Sequence, residues 1–199
     1  VRDVFDGAHF IDEVPLQDVD LLQRLHQYFE TLDLRLRQGQ GWLIFNASGK
    51  RATRITQFML EQVSSAEIPF SHYFLSWRDF ALTSYLVQVE MQNLPHRESS
   101  LSERAREEYA IAARVSRQTL ARMVTADLLI LSGLVPQHEH EVEYLEQTID
   151  RRSRSRLATI LLTPEKPDEL AHDVARVGDN RERWERLSAR LYETSLIAV

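Results

Sequence analysis

Between the apolar run Trp42 to Phe45 and the amphipathic stretch that follows, the chain reads Asn46-Ala47-Ser48-Gly49-Lys50-Arg51-Ala52-Thr53. A glycine, a lysine and a hydroxyl between a strand and a helix are parts of a phosphate-binding loop, G-x-x-x-x-G-K-[ST]. In such a loop, backbone N–H groups cradle the phosphates, the lysine neutralises them and the hydroxyl holds magnesium. Aligned without a gap, Asn46 stands at the first glycine, Arg51 at the second and Ala52 at the lysine, while Thr53 keeps the hydroxyl. Arginine does not readily adopt the conformation that glycine permits there, and alanine cannot contact a γ-phosphate. Nucleotide binding is therefore not expected, and Arg51 or Asn46 is expected to fill the space that phosphates would take. The alternative is a loop shortened by a deletion, in which Lys50 reaches the phosphates and Arg51 falls at the hydroxyl position. Gly49-Lys50 alone is a weak match, because an apolar run, a polar loop and a helix follow one another in any α/β protein.

Phosphate chemistry needs a second element, an apolar strand ending in carboxylates that hold magnesium and polarise water. Asp127-Leu128-Leu129-Ile130-Leu131-Ser132-Gly133-Leu134 supplies the strand. Ser132 and Gly133 stand where the acids belong, and neither binds a hard cation as a carboxylate does. Asp127 precedes the strand and is no substitute.

Two groups of arginines stand out. Arg97, Arg104, Arg106, Arg114, Arg117 and Arg122 are interleaved with Glu98, Glu103, Glu107 and Glu108, so six positive charges meet four negative ones. A solvated helix with i,i+4 ion pairs is the plainer account, with nucleic-acid contact through Arg104, Arg114 and Arg117 as the functional one. Arg151, Arg152, Arg154 and Arg156 form a sharper cluster without interleaved acids, either a soluble helix-to-strand turn or a contact for phosphates or a partner. His138 and His140 flank Glu139, but with no third ligand evident a polar loop is expected and no metal site. Ser48, Ser132 and the seven histidines offer no nucleophile–base order. Trp42, Trp77 and Trp184 read as core or interface aromatics.

These residues sit in a chain of 199 residues with 43% hydrophobic content, enough to bury one full core, so a single domain over 1–199 is expected. The absence of cysteine excludes disulfides, thiolate catalysis and thiolate metal sites. A net charge of −6 argues against a protein that coats nucleic acid with its whole surface. Of the 24 basic residues only Lys50 and Lys166 are lysines, which reads as genomic composition. No apolar run approaches a membrane span and no signal-peptide pattern opens the chain, so a cytoplasmic location is expected. The start at Val1 rather than Met leads us to expect a fragment lacking an N-terminal region.

Helical and strand patterns alternate, as in a sheet covered by helices. Leu21, Leu22, Leu25, Tyr28, Phe29, Leu32 and Leu36 make one helical stripe, with Gly39 at the C-cap. Trp42 to Phe45 reads as a short buried strand, and Ile55, Phe58, Met59 and Val63 as the inner face of the next helix. Ile68 to Leu75 is strand-like with Pro69 near its start, and Trp77 to Val89 is helical. After a break at 93–99, Ser100 and Glu103 form a capping box for a long helix whose shared face is Leu101, Ala105, Ala112, Val115, Thr119 and Met123. Strands follow at 126–131 and 157–162, and a helix carries Val142, Leu145 and Ile149. The pattern places a further helix at 168–177 after Pro167 and one with Trp184, Leu187 and Leu191, before a β-prone tail at 195–199.

The order of these elements resembles the AAA+ ATPase core of the DnaC/IstB family, bacterial helicase loaders and transposase helper ATPases. The resemblance is carried by His9-Phe10 and the helix up to Gln38-Gly39-Gln40-Gly41-Trp42-Leu43-Ile44-Phe45, and by the loop Asn46 to Thr53. It continues through the Walker-B-like Asp127 to Leu134 and through Leu145 to Arg156, leading into Leu157-Ala158-Thr159-Ile160-Leu161-Leu162-Thr163. That last run looks like a sensor-1 strand ending in Thr163-Pro164, and Ser188-Ala189-Arg190-Leu191 resembles the Ser-Arg-Leu segment near the family's C-terminal helix. The similarity spans 9–199 and lies in order and spacing, since no single motif is intact.

The resemblance implies a three-layer αβα P-loop NTPase domain with a mostly parallel sheet. Asn46, Gly49, Lys50, Arg51, Ala52, Thr53, Ser132 and Gly133 then mark a degenerate nucleotide site. It implies partners such as a replicative helicase, an initiator, a related AAA+ ATPase or a transposase, and in related ATPases the helices at 97–122 touch single-stranded DNA. Arg190 is a candidate arginine finger completing a neighbour's site, with a surface salt bridge as the plainer role. The expected function is a catalytically inactive AAA+-like adaptor in bacterial DNA replication or transposition, with no cofactor. The alternatives are an atypical ATPase using Lys50 and an interaction domain unrelated to DNA.

Overall fold

The computed structural model describes residues 15–87, 102–178 and 181–199. His9, Phe10, Arg97, Glu98, Ser100 and Leu101 lie outside the described residues.

Leucine and aromatic positions recurring at helical spacing form α1 (Leu16–Glu30), and the stripe continues into α2 (Leu32–Gln38). The single expected helix is broken at Thr31, whose φ of −107° and ψ of 24° leave helical geometry. Gly39 ends α2 in the left-handed conformation at φ 65°, and a Cβ there would stand 2.8 Å from the Arg156 carbonyl carbon. Then follow β1 (Gly41–Ile44), α3 (Gly49–Ser65), β2 (His72–Ser76), α4 (Trp77–Tyr85) and α5 (Glu103–Thr125). The remaining elements are β3 (Leu128–Ser132), α6 (Glu139–Arg154), β4 (Ala158–Leu162), α7 (Pro167–Gly178), α8 (Arg181–Thr194) and β5 (Ser195–Ala198).

The five strands form one parallel sheet in the order β2-β3-β4-β1-β5, with Trp42 opposite Ile160 and Leu196, and Ile130 opposite Phe74 and Ile160. Alternation along each strand sends side chains to opposite faces. Trp42, Ile44, Leu128, Ile130, Ile160 and Leu162 pack on α1, α2 and α3. Leu43, Phe45, Leu129, Leu131 and Leu161 pack on α4 to α8. The result is the αβα architecture, with β1 flanked on both sides.

Two sequence expectations shift. β2 starts at His72, three residues past Pro69, because proline has no N–H for the ladder. On α5 the buried face is Ala113, Ser116 and Met123, with Leu120 packed against the core, whereas Val115 is 54% exposed. The expected face through Ala112, Val115 and Thr119 is therefore rotated away from the sheet.

Candidate functional site

In an open parallel sheet, ligands bind outside the carboxyl ends of the strands where the strand order reverses. Here that place lies beside β1, which is followed in sequence by a crossover to β2 at the far edge. Phe45 to Ser48 make the whole connection before α3 begins. Their amides continue the sheet: Phe45 N–H donates to Ala198 O (2.8 Å), Asn46 N–H to Glu165 O (3.0 Å) and Ala47 N–H to Thr163 O (2.8 Å). Ser48 N–H donates to Asn46 O at 3.0 Å, which leaves Gly49 and Lys50 as the loop amides with no backbone acceptor among the described residues. Asn46 and Gly49 take left-handed φ values of 55° and 50°, so the chain turns sharply into the helix at both.

Arg51 crosses this turn. Its Nη1 donates to Phe45 O (3.2 Å) and Asn46 O (3.1 Å), and its Nε to Asp18 Oδ1 at 2.8 Å. Arg54 Nη1 donates to Asp18 Oδ2 at 3.0 Å. Asp18 is 3% exposed, so α1 and α3 are joined by a buried carboxylate between two guanidiniums. Of Asn46 and Arg51, it is the Arg51 side chain that spans the turn, from the Phe45 and Asn46 carbonyls to Asp18.

The helix start bears on the shifted alignment through Lys50. Gly49 and Lys50 are the first two helical residues, the place where a phosphate loop leads its Gly-Lys into the helix. Arg51 and Ala52 lie further along the first turn, and Ala52 packs against the core. Thr53 donates its hydroxyl to Gly49 O at 3.3 Å, inside the helix. Lys50 is exposed and makes no ion pair among the described residues.

Opposite the loop, β3 ends at Ser132, followed by Gly133 at φ 79° with open space where a Cβ would point. Thr163, fully buried at the end of β4, donates its hydroxyl to Leu134 O (2.8 Å) and accepts from Glu165 N–H (3.1 Å). Glu165 itself has its pKa raised by burial and by the like charges of Asp173 and Glu169. Asp127 lies at the other end of β3, where it accepts from the Ser71 amide and hydroxyl at 2.7 Å each. Those hydrogen bonds hold its carboxyl below the usual range, with Arg152 adding to the effect.

The Arg151 to Arg156 cluster corrects a sequence expectation. Arg152 is 0% exposed and presents no charge to a partner. Its Nη1 donates to Met123 O (2.7 Å) and Ala126 O (2.8 Å), its Nη2 to Ala158 O (2.6 Å) and its Nε to Thr159 Oγ1 (2.9 Å). Burial pushes its pKa down to about 10, with Asp127 pulling the other way. A planar fork of donors here satisfies carbonyls at the end of α5 that lack helical partners. Arg151 and Arg156 are exposed, Arg156 at φ 53°, and Arg154 pairs with Asp150 at 2.9 Å. Asp150 also binds Arg190 at 3.2 Å, so Arg190 sits in a surface ion pair between α6 and α8. These residues border a groove of about 310 Å³ with Glu146, Ile149, Arg186 and Leu187.

On α5, Arg104 pairs with Glu108 at 3.1 Å, whereas Arg114 and Arg117 are exposed. His138 occupies the N-cap position of α6 without a side-chain capping hydrogen bond, and its ring stacks on His140 with centroids 5.4 Å apart. His140 has its pKa lowered, chiefly by burial. No group of three or more His, Asp or Glu side chains suited to a metal occurs among the described residues, and no described helix is long and apolar enough to cross a membrane.

Sequence reasoning missed Asp18, Arg54 and the burial of Arg152. The signal was available: Asp18 continues the stripe of Leu21, Leu22 and Leu25, and Arg152 stands three residues beyond the buried Ile149. A charge on an apolar stripe must find partners when it is buried.

The sheet and its layers have likenesses among solved structures. Among solved structures the chain is similar to the DnaC helicase loader, with a TM-score of 0.61, 14% identity and coverage of 94% of this chain and 91% of that one. It is also similar to AMPPCP-bound DnaA from Aquifex aeolicus, with a TM-score of 0.56, 12% identity and coverage of 94% of this chain and 48% of that one. No family model matches the chain, and no curated protein matches it in sequence.

Proposed function

We propose that this chain is a nucleotide-independent AAA+-like adaptor that works in bacterial DNA replication, as a helicase-loading or initiation factor, or in transposition. Its partner on this reading is a protein: a replicative helicase, an initiator, a related AAA+ ATPase or a transposase. The observation that carries the reading is the guanidinium of Arg51, held on the Phe45 and Asn46 carbonyls and anchored to Asp18. A phosphate-binding loop offers amides to an anion, whereas this loop pairs the Asn46 and Ala47 amides with Glu165 O and Thr163 O in the segment that follows β4. The end of β3 adds no carboxylate to hold magnesium, since Ser132 and Gly133 stand there. The likeness to a helicase loader and to DnaA supports the replication setting.

The test is thermal melting with millimolar Mg-ATP or Mg-ADP. A ligand that binds only the native state raises its stability by RT ln(1 + [L]/Kd), so an unchanged Tm is expected. One observation favours a second reading, an atypical ATPase: Gly49 and exposed Lys50 stand at the start of α3. A saturable rise in Tm that vanishes in Lys50→Ala would establish that reading and sink the first.

A further inference from the structure

The outward face of α5 is charged and apolar at once. Residues 109–125 carry Arg114, Arg117 and Arg122 and no aspartate or glutamate, since the acids of the helix, Glu103, Glu107 and Glu108, all lie before them. Arg114, Arg117 and Arg122 are exposed, and none of them makes an ion pair among the described residues. Arg122 instead lies over the ring of Tyr73, 5.9 Å from its centroid. Beside the arginines stand Ile111, one turn before Arg114, and Val115, each 54% exposed and one helical turn apart. The opposite stripe, Ala113, Ser116, Leu120 and Met123, already docks α5 on the core, so the outward stripe is not needed for folding.

We propose that the face of α5 from Ile111 to Arg122 binds an acidic amphipathic helix of a protein partner. The proposal rests on the adaptor reading and deepens it by naming the partner's chemistry. Two branched aliphatics at i and i+4 on a straight helix form a ridge that suits the apolar stripe of another helix. Flanking guanidiniums without acids of their own match carboxylates beside that stripe and give it register. A nucleic-acid strand would satisfy the guanidiniums but would gain nothing from Ile111 and Val115, which offer no aromatic face for base stacking. The net charge of −6 repels an acidic partner elsewhere, which confines attraction to this patch.

The experiment uses a displayed library of random peptides about four helical turns long. It is selected on the 199-residue chain and, in parallel, on Ile111→Ser/Val115→Ser and on Arg114→Gln/Arg117→Gln. Circular dichroism melting establishes that both variants remain folded, as expected for exposed positions. Enriched peptides should carry aspartate or glutamate beside aliphatic residues spaced i,i+4. A synthesised winner should bind the wild-type chain by fluorescence anisotropy and lose about tenfold affinity or more in each variant. The arginine variant should also flatten the salt dependence, whereas the aliphatic variant should keep it. Absence of enrichment, equal binding by the variants, or displacement of the winner by single-stranded oligothymidylate with tighter binding would each overturn the proposal. Failure here leaves the Mg-nucleotide melt untouched, whereas nucleotide binding through Lys50 would remove the adaptor reading and leave peptide binding to be judged by itself.

Discussion

Arg152 and Arg154 are two residues apart and have opposite physical roles, because a helix turns about 100° per residue and only one of them meets the core. Arg152 closes carbonyls of Met123, Ala126 and Ala158 inside the protein. Removing it leaves buried acceptors without donors, each costing about 1–3 kcal/mol in part offset by relaxation. We therefore expect Arg152→Leu to destabilise by about 3 kcal/mol, which for a chain of this size lowers Tm by about 6–12 °C. Arg154→Ser, at an exposed ion pair, should stay within about 0.5 kcal/mol of wild type. A chemical-denaturation series on both variants checks the contrast, and equal effects would show that Arg152 does not hold the end of α5. Asp127 adds a pH-dependent contribution at the same place. Its folded pKa lies below the ordinary 3.8, so its contribution is complete above that value and is lost as pH falls through the lower, folded one. Asp127→Asn should thus reduce stability at neutral pH and shrink the further loss on acidification, measured as Tm against pH.

At the scale of elements, the strands were legible because apolar runs bounded by polar turns leave few choices, and β3 and β4 lie within two residues of their expected starts. The α5 face was not legible. Ala112, Val115 and Thr119 compete with Ala113, Ser116 and Leu120 on almost equal hydrophobicity, and only packing against α4 and α6 selects the second stripe. The start of the loop helix was not legible for a related reason: spacing between motif residues cannot show where a helix begins, and α3 begins at Gly49. The contact of α1 with α3 depends on charges that periodicity treats as exceptions. Asp18→Ala should cost about 2–3 kcal/mol, below the full penalty for a broken buried pair because Arg51 and Arg54 keep some solvent access. Arg51→Met should cost less, since Arg54 still meets the carboxylate. In a double-mutant cycle the two changes should be non-additive by about 1 kcal/mol or more, and additivity would separate Asp18 from the loop.

For the whole molecule, the sheet and its two helical layers match the fold of the DnaC helicase loader and of AMPPCP-bound DnaA. On the adaptor reading, contacts within the chain take over the ligand's place: guanidinium on loop carbonyls, loop amides on β5 and on the segment after β4, and the Thr163 hydroxyl on Leu134 O. This yields a demanding prediction about restoration. Arg51→Thr gives the start of α3 the order glycine, lysine, hydroxyl and removes the side chain that crosses the loop. It leaves the Asn46 and Ala47 amides paired and β3 ending in Ser132 and Gly133, so no group holds magnesium or orients water. Phosphate release from ATP should therefore remain at the buffer rate in Arg51→Thr, and equally in Arg51→Gly/Ala52→Lys, which restores the second glycine and the lysine of the ungapped motif. The acidic peptide selected on α5 should bind these variants as it binds wild type, because that face lies in the helical layer on the opposite side of the sheet from α3. Turnover in either variant would mean that the site needs only its loop, and the adaptor reading would give way to a lapsed or conditional ATPase.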